Sequence, residues 1–139
     1  MLSVADRPTP KYRKLDLDKI KIHGYSPGDQ FSGKDEHKKD EFGWNVGSGN
    51  WATVGFDRKR IIRSIEGSKI SFYETENFDH KQPVFLALAH YRPDSQLLDC
   101  EANQILFTFK QKNTCLEILL SNRGKVKKAR IFETKPAEQ

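Results

Sequence analysis

A chain of 139 residues matches the length of one domain and is long enough to bury a core without covalent staples. It is polar, with 36% hydrophobic and 31% charged residues, yet nine Phe, four Tyr and two Trp supply the bulk that disordered chains lack. The net charge of +5 divides as +2 over residues 1–40, 0 over 41–91 and +3 over 92–139, a mild bias toward acidic partners that says nothing about fold. No stretch approaches the ~18 apolar residues of a spanning helix, and the chain turns polar at Asp6-Arg7-Pro8, before any leader-like apolar run forms. The expectation is a cytoplasmic protein with no membrane segment, in which Cys100 and Cys115 read most plainly as free thiols, with one bridge between neighbouring strands as the alternative.

In chain order, residues 1–10 read as a flexible tail and 11–139 as a single β-rich domain. Leu15, Leu17, Ile20 and Ile22 fit an extended segment with an irregularity better than one helical stripe. A long loop is expected at about 24–43, from the turn pairs Ser26-Pro27-Gly28 and Phe31-Ser32-Gly33 and the charge run 34–41. The glycine-rich stretch 43–51 then leads into regular alternation.

Eight short runs follow, at 51–56, 60–65, 70–75, 84–91, 96–101, 105–110, 115–120 and 126–132. Turn chemistry separates them: Glu66-Gly67-Ser68, Arg92-Pro93-Asp94-Ser95 and Ser121-Asn122-Arg123-Gly124. Ile105, Phe107 and Phe109 share one face, as do Leu116, Ile118 and Leu120. The run 84–89 is apolar on both faces, as in a covered central strand. A bulge at Lys127-Lys128 would return Val126, Ala129 and Ile131 to a common face. The spacing predicts a mainly β fold, a small antiparallel barrel or sandwich built as a meander of about eight short strands. Residues 95–109 also suit a helix, with Leu97, Leu98, Ala102, Ile105 and Phe109 near i, i+4, i+7, which would make the fold α+β.

Two short motifs bear on the barrel. Gly49-Asn50-Trp51 before a β-meander resembles the G-x-W that opens the first strand of lipocalin-like barrels. Gly43-Trp44-Asn45 with Gly47-Ser48 resembles the opening of avidin-like barrels. Each resemblance covers fewer than ten residues and implies a barrel. The further tryptophans of an avidin-like pocket are absent, and no binding residues carry over.

The Trp- and Gly-rich loop is the leading candidate site. Trp44, Asn45, Asn50 and Trp51 could contact a protein partner or a small apolar ligand, the flat rings packing beside a permissive backbone. In the structural alternative, Trp51 closes the bottom of the core. A second candidate is a nucleic-acid surface drawn from Tyr12, Arg58, Lys59, Arg60, Arg123, Lys125, Lys127, Lys128 and Arg130. The neighbouring acids Asp57, Glu66 and Glu133 would cancel part of its field.

Catalytic chemistry finds no motif. His23, His37, His80 and His90 are scattered, without metal-ligand spacing to one another or to a cysteine. Pro93-Asp94 starts a nuclease-like pattern that fails, because Glu101 and Glu117 are not followed by x-Lys. Walker, GxSxG, GxGxxG and HExxH motifs are absent. The expectation is therefore a non-catalytic binding module without metal or cofactor. The alternatives are a nucleic-acid-binding protein using the basic C-terminal hairpin, or an enzyme with no recognisable motif that draws on scattered residues such as His90, Tyr91 and Glu101.

Overall fold

A computed structural model describes residues 15–72, 76–78 and 91–133. A 3-10 turn, Leu17–Lys19, precedes β1 (Ile20–Ile22), and this turn is the irregularity expected between Leu15 and Ile22. The Asp16 side chain caps it by accepting the Asp18 N–H, leaving Leu17, Ile20 and Ile22 buried on one side. The remaining strands are β2 (Lys34–Lys39), β3 (Asn45–Gly49), β4 (Ala52–Phe56), β5 (Ile62–Gly67), β6 (Ile70–Phe72), β7 (Glu76–Phe78), β8 (Ser95–Asp99), β9 (Gln104–Gln111), β10 (Thr114–Ser121) and β11 (Val126–Glu133).

The fold is mainly β. Eight strands form one antiparallel sheet in the order β2-β3-β4-β5-β11-β10-β9-β8, and β1-β6-β7 form a small second sheet. The large sheet does not close into a barrel, so the barrel implied by the G-x-W resemblance is not formed. Its edge β2 is unsuited to closure. The charge run there carries a left-handed residue, His37 (φ 57°), and its register slips between Asp35 and Lys39. Charge and bulging both blunt a sheet edge.

Strand β2 also corrects the expected loop at 24–43, since six of those residues form a strand that pairs with β3 through Lys34, Asp35 and Lys39. Likewise β3 forms where a loop was expected through 43–51. Both were hidden because neither alternates apolar with polar residues. On β3 the core-side positions are Gly47 and Gly49, and Phe31 fills that space from the preceding segment, stacking on Phe56 at 5.1 Å.

The helical alternative at 95–109 is not adopted. Strands β8 and β9 pair there instead, from Ser95↔Thr108 to Asp99↔Gln104. Asp99 Oδ1 accepts the Glu101 and Ala102 N–H groups and Asn103 takes a left-handed φ of 52°, which closes the hairpin. Phe107 and Phe109 register opposite Ile118 and Leu116 on the core face, while Leu97 and Leu98 stay exposed. Sheet pairing thus overrides the helical period.

The core lies between the two sheets, where Leu116, Ile118, Leu120, Ile131 and Ile65 meet Ile20, Ile22 and Ile70. The expected bulge is present. Leu119 pairs with Lys128 and Leu120 with Val126, so Lys127 is the extra residue and Val126, Ala129 and Ile131 all face the core. The expected tail 1–10 and most of the run 84–91 lie outside the described residues. Among the described residues, no helix is long and apolar enough to cross a membrane.

Candidate functional site

The two tryptophans of the glycine-rich stretch separate. Trp44 enters β3 fully buried, with 0% of its surface exposed, and Trp51 leaves it 96% exposed. Trp44 is fixed by the Asp40 carboxylate, whose Oδ1 accepts the Phe42 and Trp44 N–H groups at 2.9 and 3.0 Å. This bends residues 40–44 back on the outer face, where Phe42 stacks on Phe132 at 5.0 Å. The buried Trp44 Nε1 has no hydrogen-bond partner among the described residues.

Asn50 and Trp51 form the two-residue turn between β3 and β4, closed by the Gly49↔Ala52 pair. Both are left-handed, with φ of 47° and 67°, the signature of a type I′ turn. Asn suits the first position, whereas the second normally takes Gly. A bulky side chain there costs roughly 1–2 kcal/mol. Burial does not offset that strain, because the ring is in solvent. The expectation that Trp51 closes the core is therefore corrected: two-residue closure of the hairpin puts it at the tip.

A third left-handed residue lies near this turn. His23 (φ 52°) lies in a tight turn in which Ile22 and Tyr25 exchange backbone hydrogen bonds of 2.9 and 3.0 Å. Its Nε2 accepts the Ser68 N–H at 3.0 Å and the Lys69 N–H at 3.3 Å, which leaves the ring proton on Nδ1. The ring lies beside the Asn50 backbone. It fits only because residue 67 is glycine, since a Cβ there would lie 2.2 Å from His23 Cδ2. Burial, then the Lys69 charge, lowers the His23 pKa, while the nearby Asn50 backbone works the other way. The imidazole thus ties the 22–25 turn to the β5–β6 turn.

The remaining named residues do not converge on this tip. Asn45 is half-buried at the far end of β3, about 13 Å of strand from Gly49. Tyr12 lies outside the described residues. Arg58 and Lys59 are exposed in the β4–β5 turn, at the end of the sheet opposite Trp51. Arg123 and Lys125 lie in the β10–β11 turn, at the same end as Trp51.

Several of the basic residues hold the fold together. Arg60 donates to the Phe31 and Gly33 carbonyls at 2.9 and 2.8 Å and lies 4.9 Å from the centre of the Phe56 ring. Arg130 pairs with Glu117 at 2.7 Å and Glu41 at 2.6 Å, and lies 4.3 Å from the centre of the Phe132 ring. Lys128 pairs with Glu66 at 2.8 Å, and Lys127 donates to Gln104 at 3.0 Å. Asp57 and Glu133 both bind Arg63, which was not among the sequence candidates.

A cavity of about 600 Å³ is an open groove between the β8–β9 and β10–β11 turns, lined by Leu98, Cys100, Ile105, Leu120 and Arg123 among others. Of the candidate site residues named from sequence, only Arg123 lines it. Cys115 is buried, and burial pushes its thiol pKa up, away from nucleophilic use. No group of three or more His, Cys, Asp or Glu among the described residues is arranged to hold a metal. His90 lies outside the described residues.

Sequence reasoning passed over His23, Ser68 and Lys69. The available signal was His23-Gly24 between Ile22 and Tyr25, because a polar residue before glycine within an apolar run marks a tight turn.

Comparisons with known proteins add little to this geometry. No protein-family model matches the chain, and no curated protein does. Among solved structures, a DUF4309 family protein (YjgB) from Bacillus subtilis is similar at 8% identity and a TM-score of 0.42, over 74% of this chain and 72% of that one. A likeness of that size carries no argument about function.

Proposed function

We propose that this chain is a non-catalytic binding module that presents Trp51 to a protein partner offering an apolar pocket. The observation that carries the reading is the 96% exposure of a tryptophan held in a left-handed turn position. Strained residues persist where function retains them, and tryptophan is enriched among the residues that dominate interfaces. Full burial of the ring would contribute about 5 kcal/mol before the costs of association. A small apolar ligand fits the tip less well, because such ligands bind in concavities that enclose most of their surface. The structural engagement of Arg60, Lys128 and Arg130 leaves fewer cations to follow a phosphate backbone, which favours the protein-partner reading over the nucleic-acid one.

The test is site-specific photo-cross-linking in extracts of the source cells, with a benzophenone side chain at position 51 and, as control, at position 59 in the opposite turn. A protein should be captured from position 51 and not from 59. Excess wild-type chain should compete it away, and the Trp51→Gly chain should not. Equal competition by both chains would remove Trp51 from the interface.

A further inference from the structure

We propose that β8 is a dimerisation edge, at which two copies of this chain pair β8 to β8 antiparallel about a two-fold axis through Leu97. The pairing does not depend on the role of Trp51.

The large sheet ends in β2 on one side and in β8 on the other. An open edge presents unpaired backbone N–H and C=O groups to any other strand, so edges that stay single carry charge, proline or a bulge. Strand β2 has that protection. Each of its residues is charged or is His37, His37 is left-handed, and the register slips before Lys39. Strand β8 has almost none. Its five residues pair with β9 without a register shift, none is left-handed or proline, and its one charge, Asp99, lies at the end. Among the described residues no strand lies beyond it.

The side chains add an apolar component. All of β8 is exposed, and Leu97 and Leu98 keep 66% and 64% of their surface in solvent. Leu98 pairs with Ile105, while Leu97 pairs with Leu106 on the opposite face, and Leu106 in turn pairs with Leu119. Leu106 and Leu119 are half-buried. A row of leucines therefore crosses β10 and β9 and runs out to the open edge, where it stops at Leu97.

The strand is self-complementary, which singles out a second copy as the occupant. Directly opposed residues share a face of the sheet, so a two-fold axis through an antiparallel pair must set one residue against its own copy. With Leu97 in that place the whole strand is used: Gln96 of one copy faces Leu98 of the other, and Ser95 faces Asp99. No charge faces a like charge, and the two leucine rows join end to end across the axis. An axis through Leu98 instead sets Leu97 against Asp99 and leaves Ser95 beyond the paired strand. Five residues per copy are few beside the roughly 20–30 of a standard interface, so the dimer is weak and concentration-dependent.

The test is sedimentation equilibrium of the full chain from about 10 μM to about 1 mM, the range that a weak interface requires. The wild-type chain should pass from monomer to dimer, with no larger species, because a two-fold pairing closes on itself. Leu97→Lys and Leu97→Glu, at an exposed position and with the fold checked by circular dichroism, should each stay monomeric, since each sets like charges opposite one another. An equimolar mixture of the two should associate again as a one-to-one pair. Lys38→Glu, on the protected edge, should dimerise as the wild type does. The proposal is overturned if the wild-type chain stays monomeric at the highest concentration, the result expected if this edge takes a strand from a different protein. It is overturned equally if Leu97→Lys still dimerises, or if the Lys and Glu variants fail to associate on mixing, since either result removes Leu97 from the axis.

Discussion

Trp44 and Trp51 flank the same five-residue strand, one with none of its surface exposed and the other with 96% of it in solvent. The hairpin turn sets this difference. Asn50 and Trp51 are consumed in reversing the chain, so the second ring cannot follow the alternation of β4, where Ala52 and Val54 take the core side. The two residues therefore make opposite demands on the fold, and mutation should separate them.

Trp51→Gly creates Asn-Gly, the favoured pair for a type I′ turn. Relief of about 1–2 kcal/mol of left-handed strain, less the roughly 0.5–1 kcal/mol of extra unfolded-chain entropy that glycine brings, leaves a gain of about 0.5–1 kcal/mol. Thermal and urea melts should show a variant at least as stable as the parent that has lost partner capture. A clear loss of stability would mean that the ring is packed and not presented.

Trp44→Ala should cost about 3–5 kcal/mol, the range for deleting a buried aromatic side chain. Trp44→Phe should cost much less, because the indole N–H it removes has no partner among the described residues. Urea unfolding followed by circular dichroism, which needs no tryptophan signal, measures both.

These contrasts show what was legible in the sequence. The alternation at 105–109 and 116–120 reflects direct burial against the small sheet, and the Lys127 bulge was visible as a break in that alternation. Strand β3 was not legible, because its core-side residues are glycines whose space Phe31 fills from another part of the chain. The site was half legible. Gly49-Asn50-Trp51 stood out by composition, but whether Trp51 turned in or out depended on the length of a turn. His23 acts through Ser68 and Lys69, 45 and 46 positions away, a contact that no local pattern encodes.

Arg60→Lys should destabilise the chain by about 2 kcal/mol, as expected for losing a hydrogen bond to a charged group. Lysine cannot reproduce the fork that reaches the Phe31 and Gly33 carbonyls together, nor the planar stack over Phe31 and Phe56. If Arg60 instead served a phosphate, the substitution would leave chemical denaturation unchanged and alter only binding to oligonucleotides.

Acid should weaken the fold in two separate windows. His23 has a lowered pKa, so the unfolded chain takes up a proton before the folded one does. Its contribution is complete above the free value of 6.5 and is lost as pH falls through the lower folded value. Asp57 responds further down. Burial pushes its carboxyl upward, but hydrogen bonds from the Ile61 backbone, the Arg63 side chain and the Lys59 backbone together hold it below its ordinary 3.8. Its contribution is complete above 3.8 and is lost as pH falls through the lower folded value. Melting temperature recorded from pH 8 to 2 should therefore fall in two steps. His23→Asn should remove the upper step and leave the lower, and Asp57→Asn should flatten the lower step while reducing stability at neutral pH. A single transition near 4, unchanged by either substitution, would show that the general run of surface carboxylates, not these two placed groups, governs the acid response.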